Sequence, residues 1–169
     1  MNLPNSITAL RIALIPFFIL VLSLKIPYKE IVVTVVFVGL ALSDSLDGYI
    51  ARRTGQVTDL GKFMDPLADK LLITAALIFL IGRGVEAWMA FVIIAREFLV
   101  TGLRIMAIKN KIVIKASSLG KLKTISQIIG VVAVIMNLYF AWWFMLIAVL
   151  FTIVSGLDYF LVSRKLLRE

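Results

Sequence analysis

Histidine and cysteine are both absent from this chain. Without cysteine there are no disulfides and no thiolate metal site. Without histidine the commonest general base, the imidazole metal ligand and the Ser-His nucleophilic arrangements are excluded. Any metal here must be held by oxygen, which favours a hard cation such as Mg²⁺ or Mn²⁺ over structural zinc. Acidic residues are also scarce: 10 Asp and Glu stand against 18 Lys and Arg in 169 residues, for a net charge of +8. No low-complexity tract, internal repeat or soluble domain is visible. With so little chain left for a soluble binding domain, nucleic acid is a poor match for the positive charge. The charge suits anionic lipid headgroups or a phosphorylated substrate.

What the chain has instead is apolar length. Hydrophobic residues make up 62%, and the mean hydropathy is +1.04, far above a soluble domain. Six apolar segments, at about 6–24, 31–52, 61–81, 85–107, 121–140 and 143–163, each approach the roughly 20 residues of a spanning helix. The last break, near residue 141, rests on length alone. The first segment is too long for a removed signal peptide and lacks its cleavage pattern. The expectation is one all-α integral membrane domain over 1–169 with six transmembrane helices. Basic residues set its orientation. Fifteen of the 18 fall on the side of the termini and of the second and fourth loops; Lys25, Lys29 and Arg83 fall on the other. Both termini are thus expected in the cytoplasm, in the cell (inner) membrane.

Four of the five aspartates in the run DSLDGYIARRTGQVTDLGKFMDPLADK, Asp44, Asp47, Asp65 and Asp69, stand in two pairs within this apolar chain. Asp44 and Asp47 lie about 60° apart on a helix, and Asp65 and Asp69 about 40° apart on the next. Two antiparallel helices joined by a short loop would bring the pairs together. Gly48 and Ala51 share the first face and Gly61 the second, leaving room for a ligand or a partner helix. Four carboxylates side by side need counter-charge. Two divalent cations about 3.5–4 Å apart would supply it, in the arrangement used for in-line phosphoryl chemistry. Arg52 adds a bidentate donor suited to phosphate. Two other readings use the same residues: structural ion pairs with Lys62 and Lys70, and a cation or proton relay.

The spacing D44xxD47G48xxA51R52, eight residues, then G61xxxD65xxxD69 resembles the signature of the CDP-alcohol phosphotransferase family at every fixed position. The resemblance implies a six-helix membrane domain that usually forms a homodimer, with its active site open to the cytoplasm. It implies transfer of a phosphatidyl or similar group from a CDP-linked lipid, CDP-diacylglycerol, to an alcohol, releasing CMP. Asp44, Asp47 and Asp65 would hold one metal, and Asp44, Asp65 and Asp69 a second. Asp69 would also be the general base. Gly48 and Arg52 would contact the CDP-lipid, with Ala51 and Gly61 in the same motif and Asn5, Thr8 and Thr58 as further contacts.

Three more segments bear on the acceptor. In LPNSITALRIALIPF at 3–17, Asn5 or Ser6 caps the first helix and Arg11 lies near the interface. In REFLVTGLR, Arg96 and Arg104 fall on nearly one helical face, and Glu97 is the obvious partner for a buried salt bridge. In KASSLGKLKTISQ, Gly120, Lys123, Thr124 and Gln127 form one stripe at a helix N-terminus, a natural phosphate site. A plain basic loop obeying the positive-inside rule is the alternative. Arg104, Lys115, Lys121, Lys123 and Thr124 are the candidate phosphate contacts for an anionic acceptor. Together the three segments resemble the branch of the family that uses glycerol 3-phosphate. Relatives with serine or inositol phosphate as acceptor share the aspartates.

Overall fold

A computed structural model of the chain describes the backbone of residues 3–54, 59–109 and 118–166, and side-chain surroundings for 9–43, 68, 70–104 and 118–161. Six helices follow in order: α1 (Leu3–Ser23), α2 (Lys29–Thr54), α3 (Asp59–Phe79), α4 (Ala87–Lys109), α5 (Ser118–Ile135) and α6 (Ala141–Leu166). Among the described residues there is no strand, only an isolated bridge between Ile81 and Val85. The breaks have local causes. Pro27 is followed by Tyr28 in the left-handed region at φ 54°. Between α3 and α4, Gly82 at φ 78° and Gly84 at φ 117° make a turn that few other residues would tolerate. The Gly82 N–H closes it on the Val85 carbonyl at 3.0 Å.

The chain divides into two compact units. The first holds α1, α2 and α3. Here α1 packs along both α2 and α3, and α2 also meets α3. Its core includes Phe18 and Phe37, both fully buried, with ring centroids 5.7 Å apart. Leu40, Ala68, Leu72 and Leu77 complete it. The second unit holds α4, α5 and α6. Met89, Ile93, Val131, Met145 and Ala148 are buried there. A Cβ on Gly130 would lie 2.8 Å from Met145 Sδ, so glycine lets α5 come close to α6.

The outward faces are apolar as well. Phe17, Val35, Phe91, Phe98, Leu99, Ile125, Leu150 and Leu157 are all exposed. A water-soluble monomer rarely exposes so many large apolar side chains. Two helices among the described residues are long and apolar enough to cross a membrane, Ser118–Ile135 and Ala141–Leu161, with mean hydropathies of 1.4 and 2.1. This is the surface of a membrane protein.

Candidate active site

The aspartate window falls on helical backbone. Asp44 and Asp47 lie on α2 with Gly48, Ala51 and Arg52; Asp65 and Asp69 lie on α3 with Gly61. Helical geometry therefore sets each pair on one face. The side chains of Asp44, Asp47, Gly48, Ala51, Arg52, Gly61, Asp65, Asp69, Asn5 and Thr8 lie outside the described residues, and so does Thr58 altogether. Arg11, 2% exposed, donates from Nε to Ser43 Oγ at 3.0 Å. Ser43 donates in turn to the Leu40 carbonyl at 2.8 Å. This joins α1 to α2 one residue before Asp44. On α3, Ala68 is fully buried between the positions of Asp65 and Asp69. The donors of the window are all oxygens, as a hard divalent cation requires. Among the described residues there is no cluster of three or more potential metal ligands.

The basic residues of the second unit form a separate network. Glu97 on α4 is buried. Its Oε1 accepts from Lys123 Nζ at 2.5 Å and from Arg96 Nη1 at 3.2 Å. Arg96 Nη2 reaches across to Ser155 Oγ on α6 at 2.7 Å. A Cβ on Gly156 would sit 3.1 Å from Arg96 Cγ, so glycine leaves the guanidinium its path over α6. Gln127 donates to Thr152 Oγ1 at 2.9 Å, and Thr124 donates to the Gly120 carbonyl at 3.2 Å. The expected stripe of Gly120, Lys123, Thr124 and Gln127 thus faces inward: Lys123 and Gln127 are buried against α4 and α6. Lys121 is exposed, on a different face of α5. Arg104 is exposed too; its Nε lies 3.4 Å from Tyr159 Oη, and its guanidinium 5.9 Å from the centroid of that ring. Lys115 lies outside the described residues.

A family model described as CDP-alcohol phosphatidyltransferase matches residues 1–154. The chain belongs to this family. Two of its relatives cover it almost end to end. A CDP-diacylglycerol–glycerol-3-phosphate 3-phosphatidyltransferase of Bacillus subtilis (strain 168) is 44% identical over 94% of this chain and 93% of the relative. The protein of the same name from Rickettsia bellii (strain RML369-C) is 36% identical, over 97% and 96% respectively. One from Pseudomonas fluorescens is 46% identical over 62% of this chain and 55% of its own length.

For a CDP-alcohol phosphatidyltransferase, the polar side of α6 is what the sequence reading missed. Thr152, Ser155 and Tyr159 are spaced three and four apart, so they share one face of an otherwise apolar helix. That face receives Gln127, Arg96 and Arg104. The spacing was there to be read. The apolar average of the segment hid it.

Proposed function

We propose that this chain transfers the phosphatidyl group of CDP-diacylglycerol to glycerol 3-phosphate, giving phosphatidylglycerophosphate and CMP. The observation that carries this is the similarity, over nearly the whole chain, to relatives bearing that activity in their names. The aspartate spacing supports the CDP-lipid half independently, since it supplies an all-oxygen site on two helices.

In this reading Asp69 takes the proton from the 1-hydroxyl of glycerol 3-phosphate. That oxygen attacks the β-phosphorus, the one bonded to diacylglycerol. A new P–O bond forms as the bond to the CMP oxygen breaks, and CMP leaves with the electron pair. Asp44, Asp47, Asp65 and Asp69 would hold two divalent cations, Mg²⁺ or Mn²⁺, which when bound neutralise the diphosphate. Gly48, Ala51 and Gly61 leave space for the headgroup, and Arg52 grips phosphate with a planar fork. Asn5, Thr8 and Thr58 complete the CDP-lipid contacts. Arg104, Lys115, Lys121, Lys123 and Thr124 hold the acceptor phosphate. The protein is a single six-span domain over 1–169, a homodimer in the inner membrane, with termini and site on the cytoplasmic side. The charge bias and the family support that arrangement.

The test is purified protein given CDP-diacylglycerol, glycerol 3-phosphate and Mg²⁺ or Mn²⁺, with the product weighed by mass spectrometry. Phosphatidylglycerophosphate is the expected mass. Turnover of serine or inositol phosphate in its place overturns the acceptor assignment.

A further inference from the structure

Three cations of the second unit meet partners of different charge. Lys123 and Arg96 share the Glu97 carboxylate. Arg104 follows on the same helix as Arg96, and among the described residues it meets no carboxylate. Its partner is Tyr159 on α6. Arg104 Nε donates to Tyr159 Oη at 3.4 Å, a long bond, and the guanidinium carbon lies 5.9 Å from the ring centroid, within cation–π reach. The tyrosine is 5% exposed, so packing fixes it, while Arg104 is exposed. The two helices begin level, because Trp142 at the start of α6 donates to Glu86, just ahead of α4. From those starts Arg104 lies about 26 Å and Tyr159 about 27 Å along. Arg96 lies about 14 Å along and Ser155, which it meets, about 21 Å. Arg96 therefore leans towards the end where Arg104 stands, and brings the charges together there.

We propose that Tyr159 is a positioning residue for the acceptor: its hydroxyl holds Arg104 so that the guanidinium presents its two Nη groups to the phosphate of glycerol 3-phosphate. The assignment rests on the transferase reading above and deepens it. A guanidinium carries five N–H donors, one on Nε and four on the two Nη. With Nε turned to Tyr159, the remaining four form an end-on fork that matches two phosphate oxygens. The neutrality of the partner matters. A phenol titrates near pH 10, so at neutral pH it orients the arginine without cancelling its charge. A carboxylate in its place would orient Arg104 equally well and compete with the phosphate for it, as Glu97 does for Arg96 and Lys123. Of the three cations Arg104 is the exposed one, so an anion arriving from water meets it first. A free arginine loses rotamer freedom when it binds phosphate; a tethered one has lost much of it beforehand.

Tyr159→Phe removes the hydroxyl and keeps the ring, so the packing of α4 on α6 stays and only the tether goes. It is assayed in mixed micelles beside Arg104→Ala and the double variant, with thermal unfolding of each. Tyr159→Phe should raise the KM for glycerol 3-phosphate about fivefold, while kcat and the KM for CDP-diacylglycerol change by less than about twofold. Arg104→Ala should lower kcat/KM for glycerol 3-phosphate further. Adding Tyr159→Phe to Arg104→Ala should then change nothing more, because its effect runs through the guanidinium. Equal changes in both KM values, or a lower unfolding temperature with no split between them, would mean that Tyr159 only supports the helices, and the proposal fails. It fails as well if Tyr159→Phe matches the parent, or if its effect persists undiminished without Arg104. A parent protein that makes no phosphatidylglycerophosphate defeats the transferase reading and this assignment with it; an active parent with any of the failing outcomes defeats this assignment alone.

Discussion

Lys123 shows how one side chain can answer to two roles. By sequence it belongs to a basic cluster for an anionic acceptor. In the structure it is 7% exposed and shares Glu97 Oε1 with Arg96. Two cations on one carboxylate make Glu97 the costly residue to remove, because neutralising it leaves both charges buried without their anion. Breaking such a pair costs about 3–5 kcal/mol. Glu97→Gln is therefore expected to lose stability of that order in thermal unfolding. Lys123→Met should lose less than half as much, since Arg96 still serves Glu97. The double variant should recover part of the Glu97→Gln loss, a non-additivity that separate roles would not give. Ligand contact reads out differently. Lys123→Ala should raise the KM for glycerol 3-phosphate more than that for the CDP-lipid, and equal effects would assign Lys123 to structure alone. Asp69→Asn is the cleaner case: it should abolish turnover, a drop of at least about 10²-fold for a lost general base, with insertion and unfolding unchanged. Surviving activity would remove Asp69 from that role. That the four aspartates fall on two consecutive helices was legible from the apolar segments on either side of them. The Lys123–Glu97 pair was not, because residues 26 apart in sequence give no periodic signal.

At the scale of elements, the six helices were readable from apolar length, and all six form. The weakest boundary moved most. The break expected near residue 141 lies at 136–140, where Asn137 adopts φ 50°. Asparagine in the left-handed region just past a helix end is a regular stop signal, masked here by the apolar residues around it. The neighbouring aromatic cluster ties α4 to α6. Trp142 and Trp88 both donate from Nε1 to the Glu86 carboxylate, at 2.5 Å each. These two bonds, Trp142 first, hold the Glu86 carboxyl below its ordinary value of 4.5. A depressed carboxylate adds stability that is present above the unfolded-state value and is lost as pH falls through the folded one. The clamp should thus hold at neutral pH and loosen in acid, below about pH 4.5. All three tryptophans of the chain, Trp88, Trp142 and Trp143, lie in this region, so intrinsic emission reports on it directly. Emission should shift on acidification in the parent protein and stay nearly flat through the same range in Glu86→Ala. An identical titration in both would show that Glu86 is not the group responsible.

For the whole molecule, the decisive quantity is how many helices cross the bilayer. Among the described residues, two helices are long and apolar enough to do so. In α2, α3 and α4 the polar residues gather at one end: the end of α2, the start of α3 and the end of α4. Under the six-span reading those polar ends all fall on one side, where the aspartates and most basic residues sit, and they extend the helices past the hydrocarbon into the headgroup layer. The natural absence of cysteine makes this measurable, because any single introduced thiol is the only one present. Lys25→Cys and Arg83→Cys replace exposed residues in the first and third breaks; Glu169→Cys marks the C-terminus. In right-side-out membrane vesicles a membrane-impermeant maleimide should label the first two and spare the third, and in inverted vesicles the pattern should reverse. If only α5 and α6 cross, all three positions lie on one side and label together. That result would place Asp44 and Asp65 away from any bilayer core, and the rarity of acids in the chain would need another cause.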